Sequence, residues 1–255
     1  MNLKAHRKQA ARYFKQVSEQ CIHYLSIDCV VFGFHENQLK VLLLKWHGTD
    51  AWSLPGGFIK KDEGVEDAAK RCLQERTGLK KIYLQHFDIF GDAKRYDEKK
   101  TFSTINLNLP NIKWSERTIS IGYFALVEFS KVNPTPDFLT DECKWFKMNA
   151  IPSLLFDHNK IIKSAQRALP ARLPSLPIRH LLPATFTMPE LQKVYQTILG
   201  RELDARNFQR KINATGILEK LEKRREGTPY KSPYLYKFSA LSYAIALKEG
   251  SLVFS

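Results

Sequence analysis

Between Gly56 and Leu79 the chain reads GGFIKKDEGVEDAAKRCLQERTGL, directly after AWSLP. Its chemistry-bearing side chains are Glu63, Arg71, Cys72, Glu75 and Arg76, with glycines at both ends. Val65, Ala68, Ala69, Cys72 and Leu73 recur at helical spacing and predict one helix. Asp62 is placed to cap its start, and Gly78 to supply the left-handed residue past its last turn. Residues three and four apart share a helix face, which gathers Cys72, Glu75 and Arg76. That face offers a thiol, one carboxylate and a fixed positive charge. Magnesium takes hard oxygen ligands in near-octahedral geometry, whereas a thiolate suits softer metals. A guanidinium keeps its charge in a protein. Glu66 and Asp67 lie off this face. The stretch therefore predicts no metal ligand and no catalytic residue.

A second cluster follows at LDARNFQRK, where Asp204 suits a helix cap and Phe208 and Ile212 form a core face. The other faces carry Arg206, Asn207, Gln209, Arg210 and Lys211, with no acid after Asp204. Arginine pairs bidentately with guanine, and asparagine or glutamine with adenine, in the DNA major groove. Downstream, KLEKRREGTPYKSPYLYKF reads as a basic loop returning as an aromatic strand. Lys223, Arg224, Arg225 and Lys231 are expected to meet phosphates, with Tyr234 and Tyr236 packing or supporting them.

The elements that must position these groups fill 255 residues, enough for one large or two modest domains. Net charge is +14, and residues 160–255 hold 17 Lys and Arg against 7 Asp and Glu. A basic second half points to a polyanionic partner. The four cysteines, Cys21, Cys29, Cys72 and Cys143, have no CxxC spacing, so neither zinc nor a disulfide framework is expected. The N-terminus lacks the apolar core of a secretory signal and no apolar run reaches membrane-spanning length, so a cytoplasmic protein is expected.

Residues 2–20 predict an amphipathic helix or basic arm, with Ala10, Tyr13, Phe14 and Val17 on one face. Leu25–Phe34 and Leu39–Leu44 predict a hairpin about His35–Gln38, followed by Lys45, Trp46 and His47 in a loop before Trp52. Strands are expected at Lys81–Phe90 and Arg117–Phe129, separated by a polar segment, 97–116. Ile151–Ala165 reads as a helix with Ser153 or Asp157 as its cap, and Asp157 and His158 are expected in capping or core hydrogen bonds. Prolines 170, 174, 177 and 183 predict a semi-rigid linker over 170–183. Thr187, Pro189 and Glu190 then open a helix with Leu191, Val194, Tyr195, Ile198 and Leu199 inside and Gly200 as its stop.

The spacing of Gly57, Glu63, Arg71, Glu75, Gly78 and Leu79 resembles the Nudix box, the loop–helix–loop that holds a divalent metal against a diphosphate in Nudix hydrolases. In active members glutamates stand at the places of Cys72, Glu75 and Arg76, and the glutamate at the place of Glu63 braces the loop. Joined to LLPATFTMPELQKVYQTILG and LDARNFQRK, the whole resembles a bacterial family of Nudix-related transcriptional regulators with NrtR-type and AraR-type members. The resemblance implies an α/β (α+β Nudix sandwich) fold with a C-terminal winged helix-turn-helix. It places the N-terminal helix or arm at 1–20, a Nudix-like sensing and dimerising domain at 21–169, the linker at 170–183 and the DNA-binding domain at 184–255. It implies a homodimer on double-stranded operator DNA, with a small-molecule effector, no cofactor and no membrane partner. Against that family, 97–116 looks like an insertion. Lys45, Trp52, Glu75, Arg95 and Tyr123 lie on segments that border the family's cleft. A pentose is the favoured effector, because the depleted box resembles that of the sugar-responsive members. ADP-ribose sensing in NAD metabolism is the alternative, with Lys45 and Arg95 suited to phosphate. An active ADP-ribose-type pyrophosphohydrolase and a nucleic-acid or protein scaffold are the rival functions.

Overall fold

The computed structural model describes residues 3–78, 82–105, 118–129, 134–224 and 232–250. The chain separates into two compact units. The first is built from 1–32, 40–125 and 132–165, and the second from 33–39, 126–131 and 166–255.

In chain order the first part is α1 (Leu3–Gln20), β1 (Cys21–His35), β2 (Gln38–Trp46), β3 (Trp52–Ser53), β4 (Gly56–Lys60), α2 (Val65–Thr77), β5 (Tyr83–Phe90), α3 (Glu98–Thr104), β6 (Ile119–Glu128), β7 (Thr140–Lys147) and α4 (His158–Arg172). The hairpin between β1 and β2 turns through Glu36 and Asn37, both at positive φ, as the twist of a two-residue turn requires. The strands form a seven-stranded sheet in the order β3-β2-β1-β6-β5, with β4 on β1 and β7 on β2. Ile27, Cys29, Val30, Val31 and Phe32 of β1 and Val41, Leu42 and Leu43 of β2 are fully buried, as strands covered on both faces should be. Lys45 and Trp46, expected in a loop, end β2 instead. Pairing of Leu44 and Lys45 with Ser53 and Trp52 carries the ladder past the predicted end.

A buried polar network joins α4 to the sheet. Arg95 donates to both carboxylate oxygens of Asp157 at 2.9 and 2.7 Å and to the Thr118 carbonyl at 2.9 Å. His158 Nδ1 accepts from the Leu54 amide at 2.9 Å, so Nε2 carries the hydrogen that faces Asp28 at 3.3 Å. Ser120 donates to the other oxygen of Asp28. Asp157 therefore serves in a core ion pair rather than as the helix cap, while Asn159 accepts from the Leu154 amide. Part of the expected insertion forms α3, capped by the Asp97 side chain on the Lys100 amide, and 106–117 lies outside the described residues.

The proline-rich stretch is not a solvated spacer. The helix α4 runs through Pro170 to Arg172, and Leu173–Ser175 and Ile178–Leu181 follow as 3-10 turns. Leu173, Leu176, Ile178, Leu181 and Leu182 are all buried, and a chain with that many apolar groups to hide packs rather than spans.

The second unit continues with β8 (Phe186–Thr187), α5 (Met188–Leu199), α6 (Ala205–Ala214), β9 (Leu218–Arg224), β10 (Tyr234–Phe238) and α7 (Ala240–Glu249). Thr187 and Glu190 make a reciprocal capping box, and Gly200 ends α5 at φ 65°. Asp204 caps α6 through the Asn207 amide at 2.8 Å. Gln192 donates to the Leu203 carbonyl at 2.7 Å, which closes the turn between the two helices. Phe208 and Ile212 dock α6 inward, Phe208 edge-on to Tyr195 with centroids 5.3 Å apart. A three-stranded sheet, β8-β10-β9, completes the winged helix. The sequence reading did not foresee α7, whose Tyr243 is fully buried against Phe238.

Removing one partner of a buried ion pair leaves the other charge uncompensated. Asp157→Ala should destabilise the first unit by about 3–5 kcal/mol in denaturant unfolding, because Arg95 is left buried beside only Asp28.

Candidate functional site

The glycine loop and α2 are tightly joined. A side chain at Gly57 would place its Cβ 2.8 Å from Cys72 Sγ, so only glycine admits the close approach. Ala68, Ala69, Cys72 and Leu73 are buried as expected, whereas Val65 is partly exposed. Helix α2 starts from Gly64 with no side-chain cap, so Asp62 does not cap it. Gly78 does take the left-handed conformation, at φ 72°, and its amide closes on Gln74.

Arg71 is the brace. It donates to Glu63 at 2.8 and 2.5 Å, to the Phe58 carbonyl at 2.8 Å and to Glu75 at 2.9 Å. Glu63 also accepts from the Lys60 amide, so one carboxylate ties loop and helix together. These hydrogen bonds, with that to Arg71 the strongest, hold Glu63 below the usual carboxylate range despite its burial.

Arg76 points into the glycine loop. It donates to the Gly56 carbonyl at 3.0 Å and the Tyr13 hydroxyl at 2.7 Å, and pairs with the Asp137 carboxylate. Burial pushes the Cys72 thiol up to about 11, so it stays protonated at neutral pH. Glu75 is exposed and, among the described residues, pairs with Arg71. The face of α2 that carries Cys72, Glu75 and Arg76 thus presents a neutral thiol, a neutralised guanidinium and a single carboxylate. These residues do not fit a magnesium ion. Among the described residues, no group of three His, Cys, Asp or Glu side chains is placed to hold a metal.

The remaining expected ligand residues are dispersed. Lys45 and Trp52 face each other across β2 and β3, with Lys45 3.3 Å from Asp50 and 3.2 Å from Glu142. Trp52 packs edge-on to Phe146. Arg95 is committed to the buried network, and Tyr123 is buried edge-on to His86. Tyr13 and Asp137 belong to the box but were not singled out as site residues. Tyr13 reads as one of four apolar positions on α1, and no spacing rule links Asp137 to a helix sixty residues earlier.

On α6 the buried pair Phe208 and Ile212 leaves Arg206, Asn207, Gln209, Arg210 and Lys211 all exposed. At 3.6 residues per turn, Arg206 and Arg210 lie opposite the buried pair, and Gln209 and Lys211 flank them. Asn207 accepts from the Arg210 guanidinium at 3.0 Å. Lys223 and Arg224 lie on β9, with side chains outside the described residues, as are Arg225 and Lys231 altogether. Lys220 sits 3.6 Å over the Tyr234 ring, and Tyr236 is buried.

Residues 23–167 match the NUDIX domain, so the chain belongs to the Nudix family. Residues 178–238 match the NrtR DNA-binding winged helix domain, and together the two define a Nudix-related regulator of the NrtR type. The chain is 27% identical over 252 residues to an ADPR responsive transcriptional repressor, NtrR, of Acinetobacter baylyi, covering 95% of this chain and 92% of that one. Its fold matches Shewanella oneidensis NrtR at TM-score 0.67 and 26% identity, over 87% of this chain and 97% of the other. The same protein in complex with a 27mer DNA matches at TM-score 0.68 and 26% identity, over 87% and 96%. No helix among the described residues is long and apolar enough to cross a membrane.

The lowered Glu63 carboxyl fixes the sign of one pH effect. Its stabilising contribution is complete above the ordinary carboxylate range, roughly pH 4, and is lost as pH falls through the lowered folded value. Glu63→Gln should lower the melting temperature at pH 7 and flatten its fall below about pH 4; equal slopes for both proteins would separate the brace from acid stability.

Proposed function

We propose that the protein is a sequence-specific DNA-binding transcriptional regulator whose Nudix domain binds ADP-ribose without hydrolysing it. The observation that carries the reading is α6: a capped helix, docked by Phe208 and Ile212, that presents two arginines, an asparagine, a glutamine and a lysine. Arg206 and Arg210 stand furthest from the core and read base edges, with Asn207 orienting Arg210. Gln209 and Lys211 flank them toward the groove walls, and the wing residues Lys223, Arg224, Arg225 and Lys231 add phosphate contacts. Two copies of the chain would meet two half-sites of a palindromic operator.

ADP-ribose replaces the pentose expected from the depleted box. Support comes from the relative that spans nearly the whole chain and is ADPR responsive. Absence of metal carboxylates argues against hydrolysis and not against a diphosphate, which hydrogen-bond donors can also hold. The effector sits in the cleft beside the box, with Lys45, Trp52 and Glu75 at its border; Arg95 and Tyr123 serve the surrounding core. Regulation requires that the ligand prefer either the DNA-competent or the incompetent state, by a coupling of about 1–3 kcal/mol.

Arg210→Ala should weaken operator binding by about 1–3 kcal/mol and relax preference at one position, whereas Lys211→Ala should weaken all sequences alike. Fluorescence anisotropy on operator variants at fixed salt separates the two. ADP-ribose without Mg²⁺ should stabilise the folded protein by about 2.7 kcal/mol at roughly 100 times its Kd. A thermal shift with arabinose alone, or release of phosphate-bearing products when Mg²⁺ is added, would return the sugar sensor or the hydrolase.

A further inference from the structure

The sequence leaves α1 as a docking helix or a basic arm, and the structure shows where it docks. Ala10 and Phe14 are buried in a cluster with Ala51, Ile105, Leu139 and Leu155, against which Tyr13, Trp46, Phe138 and Phe156 pack. Trp46 and Ala51 bound the Lys45–Trp52 segment. Leu155 follows Leu154, which bridges to Trp52, and its amide donates to the Trp52 carbonyl at 2.9 Å. The helix therefore lies on the segment that borders the proposed effector cleft. From it Tyr13 reaches the box, its hydroxyl accepting from Arg76 and its ring 5.2 Å from the guanidinium.

We propose that α1 is a self-supplied cover over the effector site, with the Tyr13 hydroxyl holding the place on Arg76 that a diphosphate oxygen takes when ADP-ribose binds. The inference deepens the proposed function and rests on it. A phenol oxygen and a phosphate oxygen are both acceptors for one guanidinium N–H, and the charged one bonds more strongly. The exchange needs no metal, because the phosphate oxygen takes over an N–H that Arg76 already donates, with Asp137 remaining on the other terminal nitrogen.

The way α1 is held suits a cover that lifts. Its first turn carries no acid and its last turn no base, so neither end is favoured by the helix dipole. Most of its other described side chains are exposed, including Lys8, Arg12 and Lys15. At its last turn Lys61 donates from its side chain to the Glu19 carbonyl at 2.7 Å and from its amide to the Gln20 carbonyl at 2.8 Å. Lifting the helix would expose Ala10, Phe14 and Tyr13 and leave its C-terminal end as the hinge, a local opening of the kind that ligand-site elements undergo. Phe156, packed against the same cluster, is held at φ 56°, a conformation that bulky residues avoid and that clusters at ligand and switch sites.

Tyr13→Phe keeps the ring against Phe138 and Phe14 and removes the hydroxyl alone. In the covered state Arg76 then lacks an acceptor that the diphosphate restores. Calorimetric titration of the full chain with ADP-ribose, without Mg²⁺, should show binding roughly two- to tenfold tighter for the variant than for the unaltered protein. Hydrogen exchange should show amides of residues 8–17 losing protection when ADP-ribose binds. Equal affinities with α1 still protected would overturn the cover and leave the effector reading standing. Weaker binding by Tyr13→Phe would place Tyr13 inside the ligand site rather than over it. Binding by neither protein would overturn the effector reading itself, and the exchange with it.

Discussion

A positive charge drawn largely out of water must be answered, and the answer to Arg76 organises the first unit. A loop carbonyl, a carboxylate from the segment before β7 and a phenol from α1 converge on one guanidinium. Three stretches distant in sequence are thereby drawn to the end of one helix. Arg71, one turn earlier, does the same for the loop through Glu63 and Phe58. The box of this chain is closed upon its own side chains, and its geometry is maintained by hydrogen bonds that require no ion.

The second unit obeys a different economy. Its helices are fixed by caps and aromatic packing, which leaves the outer face of α6 unconstrained by folding. Arg206 and Arg210 carry no structural duty toward the core, so their identities are set by what they meet. Function there is separable from stability. At the box it is not, on the exchange proposed above, because Arg76 holds the loop together and would also hold the effector. If ligand and DNA compete for states of one molecule, their influence is mutual: whatever ADP-ribose does to DNA affinity, DNA does to ADP-ribose affinity.

Much of this was legible in the sequence because it is written locally. The α2 stop at Gly78, the Thr187–Glu190 box and the Asp204 cap involve residues within a few positions of one another. The Glu63–Arg71 brace, implied by family resemblance, appears as expected. What escaped was non-local. Nothing near Arg95 announces Asp157, and a cleft-bordering basic residue reads the same in sequence as a core one until its partner is known. Asp62 looks like a cap but lies two residues before Gly64, where the helix begins. The prolines of 170–183 suggested a spacer because their local stiffness is visible, while the burial of Leu173, Leu176 and Ile178 is a property of the assembled unit. The favoured sugar effector had the same weakness. It was inferred from ligands the box lacks, and the chemistry of binding depends on what the whole cleft contains.

The pairing of Arg76 with Asp137 also bears on how freely the box can change. Restoring an acid at position 76 alone would set it against Asp137 in a buried site, two like charges where one neutral pair now stands. Cys72 would need to change as well, and Gly57 already packs against its sulfur. Each single step toward a metal centre passes through a less stable protein. The arrangement therefore resists piecemeal change: Arg76, Asp137, Cys72 and Gly57 are fitted to one another, and a change at one is answered only by changes at the others.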